Sequence, residues 1–212
     1  MMYKLFYSPG ACSFATHCLL EASDVSYEAI DASIAQGKTQ TDSFLQLNPR
    51  ARVPVLLEND QVLRESIGLL IYLADKYPNS HLIPEIGSPE RALCLEWLSF
   101  LSSTLHPLYW GIWRQERLSS DESAHQTILE TCDRALVEEY EKLDRELANK
   151  DYLLGAKISV ADIYLFVFVH WGGILSKSTK KMPNLVAYMD RLKTYEPLAK
   201  VMAIEGIDLF RE

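Results

Sequence analysis

The chain has 212 residues, 48% apolar and 24% charged, with a formal net charge of −8. This is an ordinary globular composition, long enough to bury one large core or two small ones. The acidic balance argues against a general nucleic-acid binder, which would need a basic surface. The four cysteines, Cys12, Cys18, Cys94 and Cys132, show neither a C-x-x-C pair nor zinc spacing. They are too few for a disulfide scaffold, so a reducing, cytoplasmic setting without a metal centre is expected. The N-terminus does not read as a secretory leader, and the longest apolar window, 163–169, is too short to cross a bilayer.

In chain order, Met2 to Tyr7 alternates like a strand. Phe14 to Ala22 follows with helical spacing, and Val25 to Ala32 reads as a second strand. Ile34 to Lys38 reads as a loop. Phe44, Leu45 and Leu47 form one face of a short helix that Asn48-Pro49 stops. Val53 to Leu57 and Val62-Leu63 form a hairpin around Glu58-Asn59-Asp60-Gln61. Pro54 cannot donate to a ladder, so it belongs at an edge or at a strand's first residues. Glu65-Ser66 opens an apolar helix that Pro78 ends. Ser66 reads either as a plain N-cap or as part of a carboxylate site built on free helical N–H groups. The order strand, helix, strand, helix, strand, strand, helix implies a small mixed sheet covered by helices, of thioredoxin-like size.

The segment Tyr7-Ser8-Pro9-Gly10-Ala11-Cys12-Ser13 places a cysteine where a strand hands over to a helix N-terminus. Unpaired N–H groups and the helix dipole favour negative charge there, so a thiol ionises more easily. The alternative is a small cysteine that simply packs.

Asn79 to Pro89 reads as a linker, with prolines 78, 84 and 89 and Gly87. Beyond it the pattern is helical. Leu93, Trp97, Phe100, Leu101 and Leu105 share a face, and His106-Pro107 interrupts the run as a proline kink would. Tyr109, Trp110 and Trp113 continue it, as core or as the lining of an apolar pocket. Asp121 to Asn149 is a long amphipathic helix with a solvated charged face. Ser159-Val160-Ala161-Asp162 has the form of a capping box, which accounts for Asp162 better than a catalytic acid does. The helix it opens, Ile163 to His170, is apolar nearly all round and should run through the middle of a helical domain. Pro183 and Pro197 open the last two helices.

Over nearly its full length the chain resembles the cytosolic glutathione transferases, most of all the bacterial beta class. The residues that carry the resemblance are Tyr7 to Ser13, Asn48-Pro49, Val53-Pro54-Val55-Leu56, Glu65-Ser66, Tyr72-Leu73-Ala74-Asp75, Glu96-Trp97-Leu98, Leu105-His106 and Ser159 to Asp162. The resemblance implies an α/β thioredoxin-like glutathione-binding domain over 1–80 and an all-α substrate-pocket domain over 88–212. It implies a cytoplasmic homodimer that joins glutathione to small hydrophobic electrophiles in detoxification. Cys12 would meet the glutathione sulfur as the catalytic residue, with Ser13 beside it. Pro54 would be cis, and Val53 would pair with the cysteinyl part of the tripeptide as an added strand does. Glu65 and Ser66 would hold the γ-glutamyl end, Lys38 would contact glutathione from its loop, and Ser103 and His106 would reach it from the helical domain. Tyr109, Trp110 and Trp113 would line the substrate pocket. Where the beta class often has lysine after the histidine, this chain has Pro107. Cys12 also admits a mixed disulfide with glutathione. The rival reading is a non-catalytic ligand-binding or stress-interaction protein of the same fold. A dithiol reductase is disfavoured, because Cys18 lies two turns beyond Cys12.

Overall fold

The structure, a computed structural model, describes residues 2–212. Its contacts divide the chain into two compact units. The first runs through Arg91 and takes back Lys193–Ile207; the second comprises Ala92–Leu192 and Asp208–Glu212.

The first unit is built on four strands: β1 (Tyr3–Tyr7), β2 (Tyr27–Asp31), β3 (Val55–Glu58) and β4 (Gln61–Arg64). Their order in the sheet is β2-β1-β3-β4. β1 runs parallel to β2, with Tyr3 beside Tyr27, and antiparallel to β3, with Tyr3 beside Glu58. The β3–β4 hairpin turns on Asn59-Asp60, with Asn59 at φ 53°. A two-residue loop of this kind needs a residue that tolerates positive φ, and asparagine does so better than most. Tyr3, Leu5 and Tyr7 all point inward, as the alternation in the sequence requires.

Helix α1 (Ser13–Ala22) follows β1, α2 (Asp42–Leu47) precedes β3, and α3 (Ser66–Lys76) follows β4. The sequence gives α1 one apolar face. The structure buries every residue from Ser13 to Leu20, because β1, α3 and the returning helix α9 (Glu196–Glu205) all pack against it. Three polar residues, Ser13, Thr16 and His17, are enclosed as a result.

The second unit is helical: the body of α4 (Pro89–Phe100), α5 (His106–Trp113), α6 (His125–Glu146), α7 (Val160–Trp171) and α8 (Pro183–Lys193). The expected proline kink takes a different form. Leu101–Leu105 widens into a π-helical turn, and Pro107 follows it in the first turn of α5. α5 and α6 approach closely at Gly111, where a Cβ would lie 2.2 Å from Cys132 Sγ. All twelve residues of α7 are buried. Its first turn is anchored by Asp162, whose carboxylate accepts from Ser159 N (2.7 Å), Ser159 Oγ (2.6 Å), Leu153 N (2.8 Å) and Tyr188 Oη (2.8 Å). The capping reading of Asp162 therefore holds. Burial pushes its carboxyl up, and these hydrogen bonds oppose the shift.

Replacing Asp162 with alanine leaves buried donors at Leu153 and Ser159 unpaired. At about 1–3 kcal/mol per orphaned group, Asp162→Ala is expected to lose about 3 kcal/mol of stability, read by urea denaturation of both proteins. A loss below about 1 kcal/mol would show that this cap is dispensable.

Candidate functional site

The first unit gathers three chain segments around the Cys12 thiol. The first is the β1–α1 turn. Ser13 Oγ donates to Ser8 O (3.3 Å) and accepts from Ser8 N (3.1 Å), and Ala11 N bonds Ser8 O (3.0 Å). Gly10, at φ 65°, supplies the left-handed residue that this turn needs. Cys12 then takes the N-cap position of α1. Ser8 Oγ also accepts from Ile34 N (3.1 Å), which ties in the loop after β2.

The second segment is the loop before β3. Asn48 holds it through Nδ2 to Arg52 O (2.7 Å) and Oδ1 from Arg50 N (3.1 Å). Arg64 of β4 donates to Leu47 O, 2.7 Å from Nε. The loop ends in a cis Val53–Pro54 peptide, and Val53 O accepts from Cys12 Sγ at 3.3 Å. The third segment is the start of α3. Glu65 caps the helix with its backbone at φ 70°, ψ 117°, a conformation rare for a residue with a side chain. Its exposed carboxylate faces Arg50 at 3.9 Å. Ser66 opens the helix, and its hydroxyl lowers the Cys12 thiol against the rise from burial.

Cys12 is half-buried. Burial pushes its thiol up; the Ser66 hydroxyl and its own helix-end amide hold it down, Glu65 adds to the rise and Arg52 opposes it. The net direction is upward, so the sequence expectation of an easily ionised thiol is corrected. The helix N-terminus is present, but desolvation outweighs it.

The other expected site residues are placed as follows. Ser13 is fully buried, and its hydroxyl is committed to Ser8. Lys38 pairs with Asp31 at 2.5 Å. In the second unit, Ser103 lies in the π-helical turn and donates to Ser99 O (2.7 Å). The His106 ring packs against Trp171 (5.5 Å) and Phe168 (5.8 Å). Tyr109 is wholly enclosed and hydrogen-bonds Phe168 O (3.1 Å) and Tyr140 Oη (2.8 Å). It is core, as one of its two sequence readings held. Trp110 and Trp113 remain half-buried. Among the described residues no cluster of histidine, cysteine, aspartate and glutamate could hold a metal.

Two residues near the turn were not singled out in the sequence. Glu205 Oε2 accepts from Gly10 N (2.9 Å), and its Oε1 meets His17 Nδ1 (2.8 Å). Burial pushes the Glu205 carboxyl up, against the lowering effect of His17 and the Gly10 amide. The available signal is an acidic residue on the buried stripe Leu198, Val201, Met202 and Glu205 of α9.

Family comparison accords with this geometry. Residues 1–75 match the glutathione S-transferase N-terminal domain, and residues 111–195 match the C-terminal domain. The chain belongs to the glutathione S-transferase family. It is 26% identical to the glutathione S-transferase GstA of Escherichia coli O157:H7 over 96% of this chain and 99% of that one. A glutathione transferase homologue from Sulfitobacter with bound glutathione superposes with a TM-score of 0.88, at 26% identity over 97% of this chain and 99% of that one. The beta class transferase of Sphingomonas chungbukensis is 34% identical, with a TM-score of 0.83 over 97% and 100% of the two chains. The sheet and the helical unit are thus those of a glutathione transferase: a thioredoxin-like domain followed by helices.

Because burial raises the Cys12 pKa, its alkylation by iodoacetamide is expected to keep accelerating above the ordinary thiol value of about 8.5. Mass-spectrometric rates at Cys12 from pH 6 to 10 measure this; a plateau below about pH 8 would contradict it.

Proposed function

We propose that this glutathione transferase is a beta class, cytoplasmic, homodimeric enzyme that joins glutathione to small hydrophobic electrophiles in detoxification. The observation that carries the reading is the Cys12 thiol directed at the carbonyl of Val53 beside the N-terminus of α3. An extended tripeptide adds to the Val53 backbone as a strand adds to an edge. Its γ-glutamyl carboxylate takes the N-terminus of α3 at Ser66, and its ammonium group takes the exposed Glu65 carboxylate. Its sulfur then lies against Cys12. A protonated Cys12 thiol suits this role, since it can turn from Val53 O and donate to the glutathione thiolate. That thiolate attacks the electrophilic carbon, the leaving group departs with the bond pair, and the thiol proton goes to solvent.

The remaining roles follow the same reading. Ser13 supports the site from the turn, and Lys38 reaches glutathione only by leaving Asp31. Ser103 and His106 contribute from the helical unit, where the half-buried Trp110 and Trp113 offer apolar surface to the electrophile. Tyr109 backs that surface, stacking on Trp113 at 4.9 Å.

Thiol–disulfide exchange is the second reading, and the half-buried position of Cys12 favours it. The Cys12 thiolate attacks one sulfur of oxidised glutathione and releases glutathione thiolate. A second glutathione thiolate then attacks the mixed disulfide, regenerates Cys12 and leaves as oxidised glutathione.

Cys12→Ala separates the two chemistries. Retention on glutathione-agarose and aryl halide conjugation are expected to persist in the variant, lowered about tenfold in kcat/KM by the lost donor. The glutathione adduct on the protein should vanish. A wild-type protein that neither binds glutathione-agarose nor turns over any of several electrophiles would overturn the reading.

A further inference from the structure

The geometry points to Glu205 as a positioning residue for Cys12, acting through the backbone of the β1–α1 turn. Glu205 and His17 side chains are both fully enclosed, although Glu205 lies 195 residues beyond Gly10. A buried carboxylate is costly unless its oxygens are satisfied. Here each oxygen has one named partner, and the two partners lie on either side of Cys12 in sequence. Oε2 receives the Gly10 amide, two residues before the cysteine, and Oε1 receives the imidazole of His17 on the second turn of α1. The carboxylate therefore spans the turn and the helix between which Cys12 sits.

The environment makes this bridge stiff. The His17 ring is packed against Tyr7 at 5.1 Å and Tyr27 at 5.4 Å, so it cannot swing away from Glu205. With the carboxylate as acceptor, Nδ1 is the donating nitrogen. Nε2 is buried with no hydrogen-bond partner among the described residues, so the Glu205 bond is the one polar contact fixing the ring's orientation. Gly10 holds positive φ, and its amide direction sets the course of Ala11 and Cys12. Hydrogen bonds to a charged acceptor are stronger than neutral ones, so loss of the charge loosens the turn without removing any part of the glutathione site. The hydrogen bonds of Glu205 go to Gly10 and His17, neither of which is assigned above to glutathione. Its effect is on where the thiol points, away from solvent and toward Val53 O.

The functional meaning rests on the reading of Cys12 given above, so the test reads the thiol itself. Glu205→Gln keeps the shape and removes the charge. Cys12 and Cys132 are both half-buried, on different units, so Cys132 serves as the internal reference. With full-length protein and iodoacetamide, the ratio of Cys12 to Cys132 alkylation rates is expected to rise at least about fivefold in Glu205→Gln, as weakening of a charge-assisted hydrogen bond predicts. The KM for glutathione should rise, with that for the electrophile unchanged. Glu205→Asp, which keeps the charge and shortens the reach, should fall between the two. An unchanged ratio in a variant with native circular dichroism overturns the proposal. So does equal acceleration at all four cysteines, or loss of fold in both variants, because each marks a purely structural role. Absence of glutathione binding by the wild-type protein would overturn the functional reading and leave the alkylation ratio to decide this one.

Discussion

The first unit depends on the closure of a five-residue connection, residues 8 to 12, by one buried hydroxyl. β1 must reverse into α1 within this span, and backbone polar groups in so tight a turn need partners. Ser13 Oγ serves both polar groups of Ser8, accepting from its N–H and donating to its carbonyl. Ser8's own hydroxyl then holds the loop after β2. With the turn closed, Cys12 has one place to be, at the head of α1 and across from Val53. The same closure explains why Ser13 has no hydroxyl to spare for a ligand.

The thiol's surroundings show two physical effects in opposition. The helix-end amide and the Ser66 hydroxyl favour the thiolate, and burial favours the thiol. Enclosure prevails. The protonated form of the Cys12 thiol is therefore the one its surroundings favour. The second unit follows a different strategy. There the polar groups in the core are locked in small closed sets, Asp162 with its four donors and the hydroxyls of Tyr109 and Tyr140 on one carbonyl, Phe168 O. These fix α7 in place and leave the aromatic residues around it to provide surface.

What the sequence made legible was what depends on near neighbours. The alternation of Tyr3, Leu5 and Tyr7, the stop at Asn48-Pro49 and the box from Ser159 to Asp162 each involve a few consecutive residues, and each is found as read. The cis Val53–Pro54 peptide came from family likeness, since nothing in the local residues distinguishes it from trans. What escaped reading depends on chain return. The all-round burial of α1 and the pairing of His17 with Glu205 need α9 to come back across 188 residues, and no periodicity within either helix records that. The sign of the Cys12 shift was missed for the same reason: a helix N-terminus is visible in sequence, whereas the degree of its enclosure is not. The proline kink takes the form of a π-helical turn just ahead of Pro107.

The return of Lys193–Ile207 to the first unit has a consequence for the order of events during synthesis. A ribosome that has released the sheet and its three helices has not yet made Glu205. Until the last helix emerges, the Gly10 amide lacks its carboxylate and α1 lacks one of its covering faces. The first unit is thus completed only after α4 to α8 of the helical unit have been translated. The nascent protein keeps its glutathione half provisional until α9 has been made.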